Sequence, residues 1–336
     1  MPDRPGAAVT APTVGRGSAP AHGAEPSVNG GEWRRRWSTA RRKEAVAGYL
    51  FIAPVTLGLC VFQLYPMLRG AYLSMTESGF FGGSTFNGLA NYRRLFQDGE
   101  VAGAFRNSLV YTLIILIGVP LAMAIAVQLN ARGLRFQTGY RVVFFLPVVV
   151  IPAAAGLVWS TVYNGEYGPL NAVLEWVGIP GRAWLQDPHF ALVAVGIVGV
   201  WSTLGYNVVL FLAGLQNIPQ DMYDAAALDG AGKFRTFRSI TVPLLTPVTF
   251  FVSVTSVILA MQMFDLMFTM IGVAGLGLRN PIINDTQTVV YLFYEVGFVE
   301  NDRGYASAIA VVLMLVVLAA TFVQFRLQRR WVEYGS

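Results

Sequence analysis

Asp224-Ala225-Ala226-Ala227-Leu228-Asp229-Gly230-Ala231 is a stretch of small and acidic residues inside a polar loop, residues 216–246, that separates two long apolar runs. Asn217, Pro219, Asp221 and Asp224 read as a helix start, with an early proline and acids where the positive end of the helix dipole favours them. Ala225, Ala226 and Ala227 add strong helix propensity with almost no bulk. Gly230 and Gly232 end that helix. A second short basic helix follows (Lys233, Arg235, Arg238), and Pro243 and Pro247 close the unit. A helix–turn–helix with a small-residue face, held between apolar runs, is a surface that another protein can approach closely.

The flanking runs set the fold class. Of 336 residues, 54% are hydrophobic and 13% charged, where a soluble domain carries about a quarter charged. Six apolar runs, near 46–68, 108–129, 142–163, 191–215, 247–272 and 304–325, are each long enough for the ~20 residues that a hydrocarbon core requires. No charged residue falls between Glu44 and Arg69, between Arg106 and Arg132, or between Arg303 and Arg326. Pro54, Pro120, Pro147 and Pro152 sit within runs, where neighbouring helices can satisfy the freed carbonyls. The reading is an all-α integral membrane protein with six transmembrane helices.

Residues 1–32, rich in Ala, Gly, Pro and Ser, read as a disordered tail with no signal-peptide core. Residues 33–45 form a basic juxtamembrane segment with Trp33 and Trp37, suited to anionic membrane lipids or simply to flanking the first span. Cations gather before that span, at Arg132, Arg135 and Arg141, at Lys233, Arg235 and Arg238, and at Arg326, Arg329 and Arg330. They outnumber Arg93, Arg94, Arg106, Arg182, Arg279 and Arg303 in the alternate loops, which predicts that both termini and the 216–246 loop are cytoplasmic. The net charge of +5 is thereby explained by topology, and a nucleic-acid partner loses its support.

Asp224-Ala225-Ala226, Asp229-Gly230-Ala231, Phe237, Ile240, Pro243 and Pro247 together resemble the cytoplasmic EAA loop of ABC-transporter permease subunits. The carbohydrate-importer family (maltose and glycerol-3-phosphate type) is the most similar. Leu64-Tyr65-Pro66, Asn91-Tyr92, Arg106-Asn107-Ser108, the run Arg141 to Pro147, and Gly304 to Ala308 extend the resemblance along the chain. Two positions depart from it. Asp224 stands where the family has Glu, which keeps the charge on a shorter reach. Gly272-Val273-Ala274-Gly275-Leu276-Gly277 replaces a Gly-Gly-Pro turn, which implies a reshaped external loop.

The resemblance implies a type I ABC importer permease fold and a multi-pass protein of a bacterial cytoplasmic membrane. It implies a second homologous permease, ABC ATPase subunits, an extracytoplasmic solute-binding protein and a carbohydrate substrate. Asp224, Ala225, Ala226, Asp229, Gly230 and Ala231 would then form the ATPase-coupling surface. The chain carries no phosphate loop of its own. Its one Gly-Lys pair, Gly232-Lys233, has Ala227 where the leading glycine belongs and Phe234 where Ser or Thr belongs. His22, His189 and the single Cys60 form no metal cluster in sequence, and neither a cofactor nor an enzyme activity is expected.

A substrate path needs polar side chains at membrane depth. Ser202, Thr203, Tyr206 and Asn207 cluster midway along the fourth run, and Ser256 and Gln262 lie in the fifth. Hydroxyls, amides and one ring suit a neutral polyol. The same residue types also serve as hydrogen-bonding glue between spans. Asp265 is the one acid read within a span, and an intramembrane carboxylate is a functional candidate. Counted along a straight helix from Pro247 it falls near the outer interface, where an anchoring role competes. An ion-coupled secondary transporter is the alternative, but it wants more buried ionisable groups than Asp265. A membrane-embedded enzyme finds no catalytic cluster.

Overall fold

The computed structural model describes residues 30–78, 83–131, 135–272 and 282–331. Most of the expected N-terminal tail, Arg132, Arg279 and the 273–277 part of the expected reshaped turn lie outside the described residues. The chain divides into two compact units, Met1–Leu64 and Tyr65–Ser336.

The first unit is α1 (Gly30–Leu59) followed by a π-helical turn, Cys60–Leu64. The basic segment 33–45 is therefore the start of a helix. Lys43–Leu73 is long and apolar enough to cross a membrane, and none of its apolar window is buried.

The second unit opens with α2 (Tyr65–Leu73) and a small antiparallel hairpin, β1 (Thr76–Ser78) with β2 (Ser84–Phe86). Next come α3 (Ala90–Gln97), α4 (Gly99–Leu129), α5 (Gln137–Val149), α6 (Pro152–Val162), α7 (Pro169–Trp176) and α8 (Pro188–Gln216). The loop region holds α9 (Gln220–Leu228), α10 (Lys233–Thr236), a π turn at Phe237–Thr241 and α11 (Val242–Leu244). After it run α12 (Thr246–Met261), α13 (Asp265–Met267) and a π turn at Phe268–Gly272. The chain ends with α14 (Ile283–Thr286), α15 (Val289–Tyr294), a π turn at Glu295–Val299, and α16 (Arg303–Trp331).

Among the described residues, four helices are long and apolar enough to cross a membrane, and two bent pairs, each taken as one span, bring the number to six. The 142–163 run is one of those pairs and is no straight rod. Val150 and Ile151 are extended, and α5 and α6 meet at 103°. Pro147 and Pro152 remove two helical donors around that joint. The 247–272 run is also interrupted, by the stretch 262–264 after α12.

The core of the second unit is the packing of α4 on α8. In lipid, helices gain little from burying apolar groups and associate through close contact at small residues. Here Gly196 and Gly199 of α8 provide it. A Cβ on Gly196 would come within 2.8 Å of Ile114 Cγ2, and one on Gly199 would collide with the Tyr111 hydroxyl. Val195, Val198, Met267, Met270 and Ile271 close around this seam with Tyr111 and Ile115. At the other end of α8, Val208, Phe211 and Leu215 pack with Val119, Ala122, Leu245 and Val252.

Asp187 caps α8, its carboxylate accepting from the His189 backbone N–H at 3.0 Å. That bond holds Asp187 below the usual carboxylate range.

The chain is non-helical at 287–288 and fully buried there. Thr286 and Gln287 are 0% exposed and Thr288 is 1% exposed. Irregular backbone away from water must find partners within the protein. Asn107 donates its amide to the carbonyls of Asp285 (2.8 Å) and Gln287 (3.1 Å). Ser108 Oγ accepts from Val289 N–H at 3.0 Å, and Thr288 Oγ1 donates to Met263 O at 3.1 Å. The segment is thus tied to α4 on one side and to the 262–264 break on the other.

Candidate functional site

The polar residues expected on the fourth and fifth runs meet at one cavity. Ser202, Thr203, Tyr206 and Asn207 of α8, with Ser256 of α12, Gln262 and Asp265, line a space of about 570 Å³. The break after Met261 brings Asp265 to it. Counting a continuous rise of ~1.5 Å per residue along the run misplaces Asp265, because α12 stops and the chain turns before α13 begins.

Ser202 Oγ donates to Gly199 O at 2.9 Å, and Thr203 Oγ1 donates to Gly199 O at 2.9 Å. Both hydroxyls therefore bond their own helix, with lone pairs left over to accept, and neither ties α8 to another span in this structure. Tyr206 is 45% exposed. Asn207 is buried, and among the described residues its Nδ2 has no hydrogen-bond partner. An orphaned amide N–H₂ beneath a cavity wall costs free energy that a hydroxyl-bearing ligand or a water can relieve. Asp265 and Gln262 are exposed, and no ion pair of Asp265 is formed among the described residues.

Residues that the sequence did not single out complete the wall. Tyr111, Thr255, Met263 and Phe264 line the same space, with Pro147 and Pro152 from the α5–α6 joint. Phe264 stacks on Phe268 at 5.3 Å and lies 5.2 Å from the Tyr294 ring. Met263-Phe264 continues the apolar run past Gln262, so no sequence signal marks the Phe264 ring as a wall of this cavity. Glu295, a second acid in an apolar stretch, was also missed; it is buried and engaged within the chain.

The loop folds as the quoted stretch predicts. Pro219 precedes α9, Asp221 lies in its first turn, and the helix ends at Leu228. Gly230 adopts φ +73°, the left-handed conformation that favours glycine. Ala231 N–H then reaches Ala226 O at 2.9 Å and Gly230 N–H reaches Ala227 O at 3.1 Å, the paired bonds of a Schellman cap. Asp229-Gly230-Ala231 is therefore the stop signal of α9.

Helical spacing gives α9 two faces. Ala226 is buried against its own chain, and Tyr223 OH lies 3.2 Å from Thr241 Oγ1. Ala226 accordingly faces the loop's interior, unlike its neighbours Ala225 and Ala227. Asp221, Asp224, Ala225 and Leu228, spaced i, i+3, i+4 and i+7, are all exposed. Gln220 Nε2 donates to Asp224 Oδ1 at 3.0 Å. Leu228 is 91% exposed and Phe234 76%, so the loop presents two large apolar side chains beside its acids.

Comparison with known proteins places this architecture. Residues 104–333 match the family of binding-protein-dependent transport system inner membrane components. The sn-glycerol-3-phosphate transport system permease protein UgpA of Agrobacterium fabrum is 34% identical over 293 residues, covering 85% of this chain and 96% of the relative. The arabinooligosaccharides transport system permease protein AraP of Bacillus subtilis is 32% identical over 295 residues, covering 87% and 91%. Among solved structures, a chain of a bacterial alginate ABC transporter, in complex with alginate pentasaccharide-bound periplasmic protein, has the same fold. It superposes with a TM-score of 0.75 at 19% identity, covering 90% of this chain and all of that one. The match over residues 104–333 and these full-length relatives show that this chain belongs to the binding-protein-dependent inner membrane components, the permease subunits of ABC transporters.

Proposed function

We propose that the cavity between α8, α12 and the 262–264 break is this chain's half of a carbohydrate path, and that α9 with α10 is the surface on which the ATPase docks. The chain is a permease subunit of the cytoplasmic membrane, and ATP hydrolysis belongs to a partner. One observation carries the proposal. Seven polar residues chosen from two separate runs, one of them beyond a helix break, line a single space. Hydroxyls, amides and the Tyr206 ring can exchange hydrogen bonds with sugar hydroxyls and cover an apolar sugar face. The relatives' own substrates, glycerol-3-phosphate and arabinooligosaccharides among them, support a sugar or sugar derivative.

The loop presents an acidic and apolar face to the ATPase on the cytoplasmic side, where both termini also lie. The unburied window of Lys43–Leu73 leaves a whole helix for lipid or a second permease to cover.

The test is co-purification of wild type and Gly230→Pro with a candidate ABC ATPase. Proline needs φ near −65° and has no N–H, whereas Gly230 sits at +73° and donates to Ala227. Loss of the ATPase with normal membrane insertion is the expected result. Retention of the ATPase by the variant would remove the loop from the coupling role.

A further inference from the structure

A second pocket, of about 400 Å³, opens where α5 packs on α8. The helices approach closely here, since a Cβ on Gly205 would collide with the Phe144 carbonyl oxygen. Thr138, Arg141 and Phe145 of α5 line it at i, i+3 and i+7, one helical face. Facing them along one stripe of α8 are Val208, Leu212 and Gln216. The two stripes share a polarity. Thr138 and Arg141 open α5, Gln216 closes α8, and everything between them in the pocket is apolar.

Arg141 pairs with no carboxylate of the described residues. Among the described residues the ion pairs are Arg94–Asp302 and Asp187–His189, and Arg141 makes no hydrogen bond. It is exposed, and no charged residue follows it until Glu166. It therefore stands where a hydrocarbon layer would begin, the level at which phospholipid phosphates lie. A groove that is apolar in its depth and ends in an unpaired guanidinium, a hydroxyl and an amide has the chemical profile of one anionic phospholipid. Phosphate oxygens take the fork of the guanidinium, and the upper part of one acyl chain lies along Phe145, Val208 and Leu212. A protein segment filling the groove would need its own acid at Arg141, and a neutral lipid would leave that charge uncompensated at the phosphate level.

We propose that this groove is a binding site for an anionic phospholipid, with Arg141 as the headgroup ligand. The site is distinct from the sugar cavity and does not rest on it.

The test uses the full chain, co-purified with its sister permease and ATPase, and native mass spectrometry against dioleoyl phosphatidylglycerol and dioleoyl phosphatidylcholine. One phosphatidylglycerol per copy of this chain should survive under conditions that strip phosphatidylcholine. Arg141→Gln should lower that retention roughly tenfold, the scale of one lost charge-assisted contact, and Arg141→Lys should restore most of it. Val209→Trp, at an exposed rim position, should exclude the lipid while leaving Arg141 in place. Melting curves of each variant with and without phosphatidylglycerol separate lost binding from lost folding, since only binding makes the melting temperature respond to lipid. Equal retention of the two lipids would overturn the proposal. So would displacement of the lipid by millimolar inorganic phosphate, which would make this a free-anion site. Absence of bound lipid in the assembled complex, with retention only by the isolated chain, would assign the groove to the sister permease instead.

Discussion

Replacing Asn107 with alanine should destabilise the protein by an amount that the structure bounds. Asn107 is 4% exposed, and its one amide nitrogen serves two backbone carbonyls, at 2.8 and 3.1 Å. Leaving the buried Gln287 carbonyl without a donor costs about 1–3 kcal/mol, whereas the Asp285 carbonyl, on an exposed residue, can turn to water and adds less. Polar contacts between spans average only about 0.6 kcal/mol each, because the disrupted state finds other partners. The higher figure applies to Gln287, which is non-helical and whose own and neighbouring side chains are 0–1% exposed, keeping water from its carbonyl. A loss of about 1–3 kcal/mol is expected, read as ΔΔG in a detergent-denaturation titration.

Thr112→Val is the matched control. Thr112 Oγ1 donates at 2.7 Å to Ser108 O, a carbonyl within its own helix, so its removal should change stability by less than about 0.5 kcal/mol. Equal losses for the two variants would refute the claim that Asn107 secures the 285–289 segment. The tie also reaches the proposed sugar cavity, through Thr288 Oγ1 on Met263 O. Asn107→Ala should therefore lower uptake even at temperatures where it remains folded and still binds the ATPase.

Gly205→Ala should push α5 away from α8, because its Cβ meets a backbone carbonyl that has no rotamer to yield. A loss of about 1–3 kcal/mol in the same titration is expected. Leu228→Ser should leave stability unchanged, since the side chain is 91% exposed. It should weaken ATPase binding by roughly tenfold or more, the equivalent of about 1.5–3 kcal/mol for burying a leucine at the interface. Tyr206→Leu should reduce sugar uptake by reconstituted vesicles while the ATPase remains bound, and unchanged uptake would remove Tyr206 from the path.

What the sequence made legible were features set by local chemistry. The Asp-Gly step announced the left-handed cap of α9, because few residues other than glycine take that conformation cheaply. The polar clusters at 202–207 and 256–262 stood out because polar side chains are rare at membrane depth. Features decided by packing were hidden. Pro147 and Pro152 were visible, yet proline alone does not dictate a 103° turn. The turn is held by α6 lying so close to the Phe268–Gly272 π turn that a Cβ on Gly156 would strike Thr269 Oγ1. The break at 262–264 falls within Met-Gln-Met-Phe, which carries no helix-stopping residue, so Asp265 was read by counting along a rod that does not exist. Ala226 illustrates the same division. Three consecutive alanines signal a helix but do not say which one faces inward, and that is settled by where Tyr223 and Thr241 meet.

The proposed loop and the proposed path lie at opposite ends of one helix, α12, which suggests how they communicate. At its loop end, Lys233–Leu244 meets Thr246–Met261 at 65° around Leu245, which is 0% exposed and packs in the core at the foot of α8. At its other end α12 stops at the 262–264 break that walls the cavity. A stiff helix between two joints passes on rotation more readily than strain, since helices are rigid and joints absorb the dihedral change. Pro247, just past the Leu245 joint, withholds the N–H that would bond Pro243 O and carry one helix through it. Replacing Pro247 with alanine supplies that donor and favours a straighter element. ATP hydrolysis and docking should then persist while sugar delivered per ATP falls. An unchanged ratio would mean that motion of the loop reaches the cavity by a route other than α12.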